Sequence, residues 1–318
     1  MSPDGLLYLS GREVAAALGH VDVVRAVSAA LVAHGRGETI LPAEAYLGWE
    51  HDGEALRSLA MPAAVGSAPG VKIINANPAN PTRGLPRASG LTVLFDPVSG
   101  RPLCVMEGAR ISCLRTAAVT AIAAELLAAP VERLALIGAG ALARCHLELL
   151  PPRLPQLREI HVYDRERGRA TTLAERVIVC DSAEQAIRGA ELVVTVTTTT
   201  KPYIRHDWLR PGTLLVNVSL DDPLPEVFLR ADKLFVDDWD LIAADEHRIL
   251  GRLLRNGTNS RADHPELGWL LANGALGRSH PDEIVVVNPF GLAIEDLAVA
   301  RQVYEYASAS GLGARLDR

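Results

Sequence analysis

The chain has 318 residues, 48% of them hydrophobic and 22% charged, with a formal net charge of −6. Such a composition gives a globular protein ample core, and the length suggests two domains or one large domain with insertions. The acidic balance and the lack of a dense Lys/Arg block argue against a nucleic-acid partner. The apolar stretches are strand- or helix-sized and interrupted, which argues against a membrane span. Met1-Ser2-Pro3-Asp4-Gly5 lacks the basic and apolar regions of a secretory leader. Cys104, Cys113, Cys145 and Cys180 show no C-x-x-C spacing and read as buried free thiols, so a cytoplasmic protein is expected.

The chain opens with helical patterns. Ser10 and Asp22 are N-cap residue types for segments running to about Leu18 and Ala33. From Gly70 to Arg110 the pattern changes to strand-like runs punctuated by Pro and Gly. One lysine, Lys72, interrupts the apolar run Gly70-Val71-Lys72-Ile73-Ile74. Turned inward it could bind a carboxylate or polarise a carbonyl or imine; turned outward it would be an ordinary edge-strand lysine. Arg83-Gly84-Leu85-Pro86-Arg87 follows, a rigid loop carrying two guanidinium forks suited to carboxylate or phosphate, or simply solvated. Leu91–Phe95 and Pro102–Met106 flank Asp96-Pro97-Val98-Ser99-Gly100 as a hairpin with a longer loop.

An Ala-rich helix is expected from about Arg115 to Ala129. A cation at its start opposes the helix dipole, an inconsistency that favours an anion-binding role for Arg115. Near Pro130 the organisation changes to alternating strands and helices, as a doubly wound parallel sheet requires. The apolar run Arg133–Ile137 is followed by Gly138-Ala139-Gly140-Ala141-Leu142-Ala143, the G-x-G-x-x-A dinucleotide fingerprint. Gly138 allows the tight turn, Gly140 admits a pyrophosphate, and Ala143 lets the next helix pack close. The second strand, Glu159–Tyr163, ends in Asp164 at about the spacing that a ribose contact needs, and that acid favours NAD over NADP. Arg165 beside it pulls the other way.

Further strands are expected at Val177–Cys180, Leu192–Thr197, Thr213–Leu220, Lys233–Asp238 and Ile284–Val287. A helical segment covers Leu241–Arg255, and a last helix, about Ile294–Ala309, crosses back to the first domain. Asn217-Val218-Ser219-Leu220-Asp221-Asp222 lies at the C-terminal end of a sheet strand, the edge where ligands bind in open α/β sheets. One of the two aspartates could be a general base, and the other the cap of the helix after Pro223-Leu224-Pro225. Nine histidines without a metal-ligand spacing argue against a metal site, and no G-x-S-x-G elbow is present.

Over nearly its whole length the chain resembles the ornithine cyclodeaminase/mu-crystallin superfamily. The shared segments are Gly70-Val71-Lys72, Gly84-Leu85-Pro86, the Thr92–Gly100 hairpin, Met106-Glu107-Gly108, Arg115-Thr116-Ala117-Ala118, the fingerprint, the Asp222 region and Gly291–Ala298. Within it the chain looks most like the N-(2-amino-2-carboxyethyl)-L-glutamate dehydrogenases, which make 2,3-diaminopropionate for siderophores and peptide antibiotics. The features are Arg83–Ser89, Val218-Ser219-Leu220 before the acid, and Asn288-Pro289-Phe290-Gly291-Leu292. The resemblance implies a homodimer built on an N-terminal α+β substrate-binding domain, residues 1–129 with about 292–318, and a Rossmann-type NAD domain, residues 130–291. It implies NAD(H) facing an amino-acid substrate across the cleft between them.

The family's substrate lysine, substrate arginine and catalytic aspartate would fall on Lys72, Arg115 and Asp222, with Arg87 and Arg83 as further substrate contacts. Cofactor contacts would fall on Gly138, Gly140, Ala141, Leu142, Asp164, Arg165, Thr116, Thr197 and Ser219. Two departures stand out. Leu41-Pro42-Ala43-Glu44 offers a glutamate where ornithine-processing members carry an arginine, and Arg87 stands where they tend to have a threonine. The expectation is oxidative, NAD-dependent cleavage of an N-substituted amino acid. The alternatives are a cyclodeaminase, an imine reductase of the same superfamily and a non-catalytic, crystallin-like NAD(P)H-binding protein.

Overall fold

Leu7 and Leu9 are buried while Tyr8 between them is exposed, so the first element is a strand, β1 (Leu6–Leu9), where the sequence suggested helix from the outset. The computed structural model describes residues 5–246, 248–258 and 264–317. Residues 1–4, on which most of the leader expectation rests, lie outside them. The two expected helices follow as α1 (Gly11–Leu18) and α2 (Val23–Gly35). Ser10 caps the first, its N–H and hydroxyl both donating to Glu13 Oε2, and Asp22 caps the second by accepting from the Arg25 N–H. Strands β2 (Thr39–Ile40), β3 (Ala45–His51), β4 (Glu54–Val65), β5 (Ala68–Ala76), β6 (Ala88–Phe95) and β7 (Pro102–Glu107) come next, before α3 (Ala109–Leu127).

Beyond α3 the chain alternates: β8 (Arg133–Ile137), α4 (Ala141–Leu149), β9 (Glu159–Tyr163), α5 (Arg167–Thr171), β10 (Ile178–Val179), α6 (Ala183–Ile187), β11 (Leu192–Thr195) and β12 (Leu214–Asn217). Then come α7 (Pro225–Arg230), β13 (Lys233–Phe235), α8 (Trp239–Ala244), α9 (Ile249–Arg255), α10 (Leu267–Asn273) and β14 (Val285–Val287). Asp245 and Arg248 both take extended backbone, so the single helical segment expected over 241–255 is two helices; His247, inside it, lies outside the described residues. The seven strands pair in the order β10-β9-β8-β11-β12-β14-β13, all parallel. Helices cover both faces of such a sheet, so its central strands can be apolar throughout; all residues of β11, β12 and β14 are buried. Chain order reverses between β8 and β11, the switch point that opens a ligand crevice at the strands' C-terminal ends.

The chain closes with α11 (Ala293–Ser310) and β15 (Ala314–Leu316). Two compact units result: one runs to Arg115 and resumes at Leu292, and the other is Thr116–Gly291. The first holds a mixed sheet in the order β15-β1-β7-β6-β5-β4-β2, with β3 also paired to β4. Helix α11 lies over β4, β5 and β6. Gly70 permits this close packing, because a Cβ there would stand 2.4 Å from Val93 O and 2.8 Å from Leu297 Cδ2. Among the described residues no single helix is long and apolar enough to cross a membrane. Cys104 and Cys180 are buried free thiols, but Cys113 and Cys145 are each in a disulfide, a linkage that their spacing does not signal.

Candidate active site

In the parallel-sheet unit the fingerprint forms the expected strand–turn–helix. Gly138 sits at φ 106°, a conformation that a side chain would strain, and a Cβ there would also meet Val196 O at 2.9 Å. Gly140 precedes α4, and a Cβ built on it meets nothing within 4 Å. That open space over a helix start is what a pyrophosphate requires. Ala141 and Leu142 form the first turn, and Ala143 is fully buried against the sheet. Asp164, just past β9, accepts the Ala139 N–H at 2.7 Å and the Glu166 N–H at 2.8 Å. Its carboxylate thereby ties the Gly-rich turn to the second strand. Arg165 is exposed and in no ion pair among the described residues, and Thr116 lies in α3, half-buried.

At the same sheet edge Asp222 is fully buried. Thr197 and Tyr203 donate hydroxyl hydrogen bonds to Oδ1 at 2.8 and 3.0 Å, and Ser219 donates to Oδ2. Burial pushes the Asp222 carboxyl above its ordinary value, with the Ser219, Thr197 and Tyr203 hydroxyls opposing the shift. Burial also raises the Tyr203 phenol, as does the Asp222 charge. Asp221 does different work. Its Oδ1 accepts the Ile249 N–H at 2.9 Å and its Oδ2 lies 3.6 Å from Arg252, so it caps α9, not the helix after Pro225. Behind this edge Asn217 accepts from Thr195 and donates to Asn288, both at 2.6 Å, and Asp237 accepts the Phe290 and Gly291 N–H groups. These bonds fix the strand ends from which the site's side chains project.

In the mixed-sheet unit Lys72 points inward and is 3% exposed. Its Nζ donates to Ser112 Oγ at 2.8 Å and to Asp296 at 3.0 Å. Arg115 reaches Glu295 at 2.7 Å through Nη1 and Asp296 at 3.1 Å through Nε. Two cations and two carboxylates thus form a buried, balanced quartet. Burial, ahead of the neighbouring Arg115 charge, lowers the Lys72 ammonium to about 8. Arg115 does not stand at a helix start: α3 begins at Ala109, and the residue lies inside it. The dipole reasoning for Arg115 therefore fails; what compensates its charge is the acid pair of α11.

The two loop arginines differ. Arg83 is exposed and forked onto Glu54, which also accepts from Asn77 Nδ2 at 2.8 Å. Arg87 is half-buried, and burial together with the Arg57 charge pulls its pKa below the usual value. Tyr203, Glu295, Asp296 and Ser112 were not singled out by sequence. The one available signal was Glu295-Asp296 inside an otherwise apolar run, and an acid pair in a first helical turn reads equally well as a complement to the dipole.

A sequence profile of the ornithine cyclodeaminase/mu-crystallin family matches residues 7–311. The N-((2S)-2-amino-2-carboxyethyl)-L-glutamate dehydrogenase of Staphylococcus aureus is 34% identical, with 98% of each chain covered. The crystal structure of CmnK superposes with a TM-score of 0.94 at 42% identity, over 99% of this chain and 98% of that one. An archaeal alanine dehydrogenase dimer with bound NAD gives a TM-score of 0.86 at 29% identity, over 98% and 99%.

Proposed function

From the premise that the chain belongs to the ornithine cyclodeaminase/mu-crystallin family, we propose that it is an NAD-dependent dehydrogenase of an N-substituted amino acid. Its substrate on this reading is N-(2-amino-2-carboxyethyl)-L-glutamate. Substrate, NAD and water give 2,3-diaminopropionate, 2-oxoglutarate, NADH and a proton. The observation that carries the reading is the pairing of residue sets in one chain: a dinucleotide turn with a buried carboxylate in one unit, and the buried cations Lys72 and Arg115 in the other. The 34% identity to the staphylococcal dehydrogenase along both chains supports the choice of substrate.

The residues fit NAD: the open space over Gly140 takes the pyrophosphate, Gly138 the turn, Ala141 and Leu142 the helix start, and Asp164 the ribose diol. Asp164 would repel a 2′-phosphate, which supports NAD over NADP. Bound NAD supplies the hydride acceptor. Lys72, Arg87 and Arg115 hold substrate carboxylates and so fix the carbon that is oxidised. Asp222, buried and held by three hydroxyls, takes a proton from the water that attacks the resulting C=N bond. Its raised pKa makes it a stronger base than an exposed aspartate. Thr197 and Ser219 serve this arrangement by positioning Asp222.

The second part of the reading is a homodimer. All seven residues of β3 are exposed, among them Tyr46, Leu47 and Trp49, which gives an apolar surface on an outer strand of the mixed sheet. Sedimentation velocity checks this: a dimer is expected, and a monomer at micromolar concentration rejects it.

Absorbance at the NADH band, with purified protein, NAD and N-(2-amino-2-carboxyethyl)-L-glutamate, tests the activity, with ornithine run in parallel. A rise with the first compound alone is expected. No rise with either, but ammonia and proline formed from ornithine, overturns the proposal in favour of a cyclodeaminase.

A further inference from the structure

Behind Asp222 lies a chain of hydroxyl groups whose donors and acceptors can be counted. Thr195, the last residue of β11, pairs in register with Asn217, the last of β12, and the Ser219 N–H donates to Thr195 O at 3.1 Å. The turn after β12 thereby folds Ser219 back over the end of β11. Its Oγ contacts Asp222 Oδ2 on one side and Thr195 Oγ1, at 2.8 Å, on the other. Thr195 Oγ1 in turn lies 2.6 Å from Asn217 Oδ1. All four side chains are buried, Thr195, Asn217 and Asp222 completely.

The far end of this chain can only accept. The backbone Leu220 O cannot donate, so the Asn217 atom 3.2 Å from it is the amide nitrogen, and the one facing Thr195 is oxygen. The near end, an ionised carboxylate, also only accepts. Between the two stand three oxygen–oxygen contacts and two hydroxyl hydrogens. One contact therefore holds no hydrogen while Asp222 is ionised, and none of the three, at 2.8 Å or less, has room for a water. Ser219 Oγ to Asn217 Oδ1, at 3.5 Å, is too long to relieve the shortage. A proton on Asp222 Oδ2 supplies the third hydrogen. Asp222 then donates to Ser219, Ser219 to Thr195 and Thr195 to Asn217, while Oδ1 keeps the Thr197 and Tyr203 hydroxyls in both states.

We propose that Ser219 and Thr195 form a hydroxyl relay, ended by Asn217, that is complete only when Asp222 is protonated, with Thr195 as a positioning residue for the proton that Asp222 takes up. Thr195 acts through Ser219. While Asp222 is ionised it draws the Ser219 hydrogen and leaves one pair of oxygens in the chain lone pair to lone pair. Protonation exchanges that repulsion for a hydrogen bond, so the relay favours proton uptake. Burial and the Asp221 charge act in the same direction, and Asp221 itself lies 3.6 Å from Arg252. The Tyr203 phenol, which feels Tyr163 and Asp164, is the other titratable group at the carboxylate among the described residues. That the proton comes from the attacking water rests on the dehydrogenase reading; the hydrogen count does not.

The test reads the Asp222 proton directly and needs no turnover, so that the two proposals can fail separately. In full-length protein saturated with NAD, the infrared carbonyl band of the protonated carboxyl is identified by its loss in Asp222→Asn and titrated with pH. The wild-type midpoint is expected above that of an ordinary aspartate. Thr195→Val keeps the shape, removes the hydroxyl and is expected to lower the midpoint by about one pH unit. Thr195→Ser, which restores the hydroxyl, is expected to bring it back. The sign separates the relay from a plain polarity effect, because a buried site made less polar would hold its carboxyl at a higher midpoint. Thr195→Cys, whose thiol is a weak donor and acceptor, is expected to shift the same way as Thr195→Val and covers the case in which that variant does not fold. The relay is overturned if the midpoint rises or stays in the variant without the hydroxyl. It is overturned equally if Thr195→Ser falls by the same amount, or if the wild type titrates at or below an ordinary aspartate. NADH production with an unmoved midpoint would leave the dehydrogenase standing and remove the relay; a lowered midpoint without NADH production would do the reverse.

Discussion

Two buried acidic centres handle their charge in opposite ways. In the mixed-sheet unit Glu295 and Asp296 are neutralised by Lys72 and Arg115, full charges on both sides. In the parallel-sheet unit Asp222 receives three neutral hydroxyl donors and, among the described residues, no cation. Ion pairs fix geometry, and a change of protonation in one partner strands the charge of another in a low-dielectric interior. Hydroxyl donors hold a carboxylate in place yet allow it to take up a proton, since each hydroxyl can turn and accept instead. The first arrangement suits a binding scaffold and the second a group that must exchange protons.

The largest test of that contrast is Asp222→Asn. Turnover of the N-substituted glutamate is expected to fall by ~10²–10⁴-fold. Stability at neutral pH should hold or rise. A carboxyl with a raised pKa binds its proton more tightly when folded, so its ionised form opposes folding above that pKa and the opposition is relieved on acidification. Chemical denaturation at pH 7 and at pH 4 should therefore show the variant's advantage shrinking in acid. Activity retained with stability lost would make Asp222 a structural residue like Asp221.

Asp296→Asn should do the opposite. It leaves Lys72 and the Arg115 Nε without their shared carboxylate and is expected to cost about 3–5 kcal/mol in denaturant unfolding. A loss under ~1 kcal/mol would show that the quartet does not act as a unit.

Next in size is a pH effect. Lys72, lowered to about 8, loses its proton as pH rises through that value, so KM for the substrate should climb several-fold between pH 7 and 9. Lys72→Arg should abolish the inflection, since arginine keeps its charge throughout. The sign for stability is separate. A lysine lowered on folding opposes folding below about 8, and that opposition fades as pH approaches 10.5.

Smaller again is Asp164→Asn, which should weaken NAD by about tenfold and narrow the preference over NADP, read from KM for each cofactor. The smallest effect belongs to Arg83→Ala. Its exposed fork onto Glu54 is expected to leave substrate KM within about twofold of wild type. A larger change would make Arg83 a substrate contact after all.

Local chemistry made much of this molecule legible in one dimension. The turn at Gly138–Ala143 demands small residues at fixed offsets, the caps at Ser10 and Asp22 are residue-specific, and apolar strand runs alternate with helices along the parallel sheet. What stayed hidden was made by pairing across long sequence separations. Lys72 and Asp296 stand 224 positions apart, and Arg115 and Glu295 180. No periodicity connects them; Gly70 and the packing of α11 on β5 do. Nothing in 221–222 tells two adjacent aspartates apart until the N–H of Ile249 claims one and the hydroxyls of Thr197, Tyr203 and Ser219 claim the other. Sequence by itself determined the nucleotide turn and the residue types that chemistry needs. Tertiary structure alone decided which charges are neutralised and which are left over, because the fate of a charge depends on what is brought beside it in space.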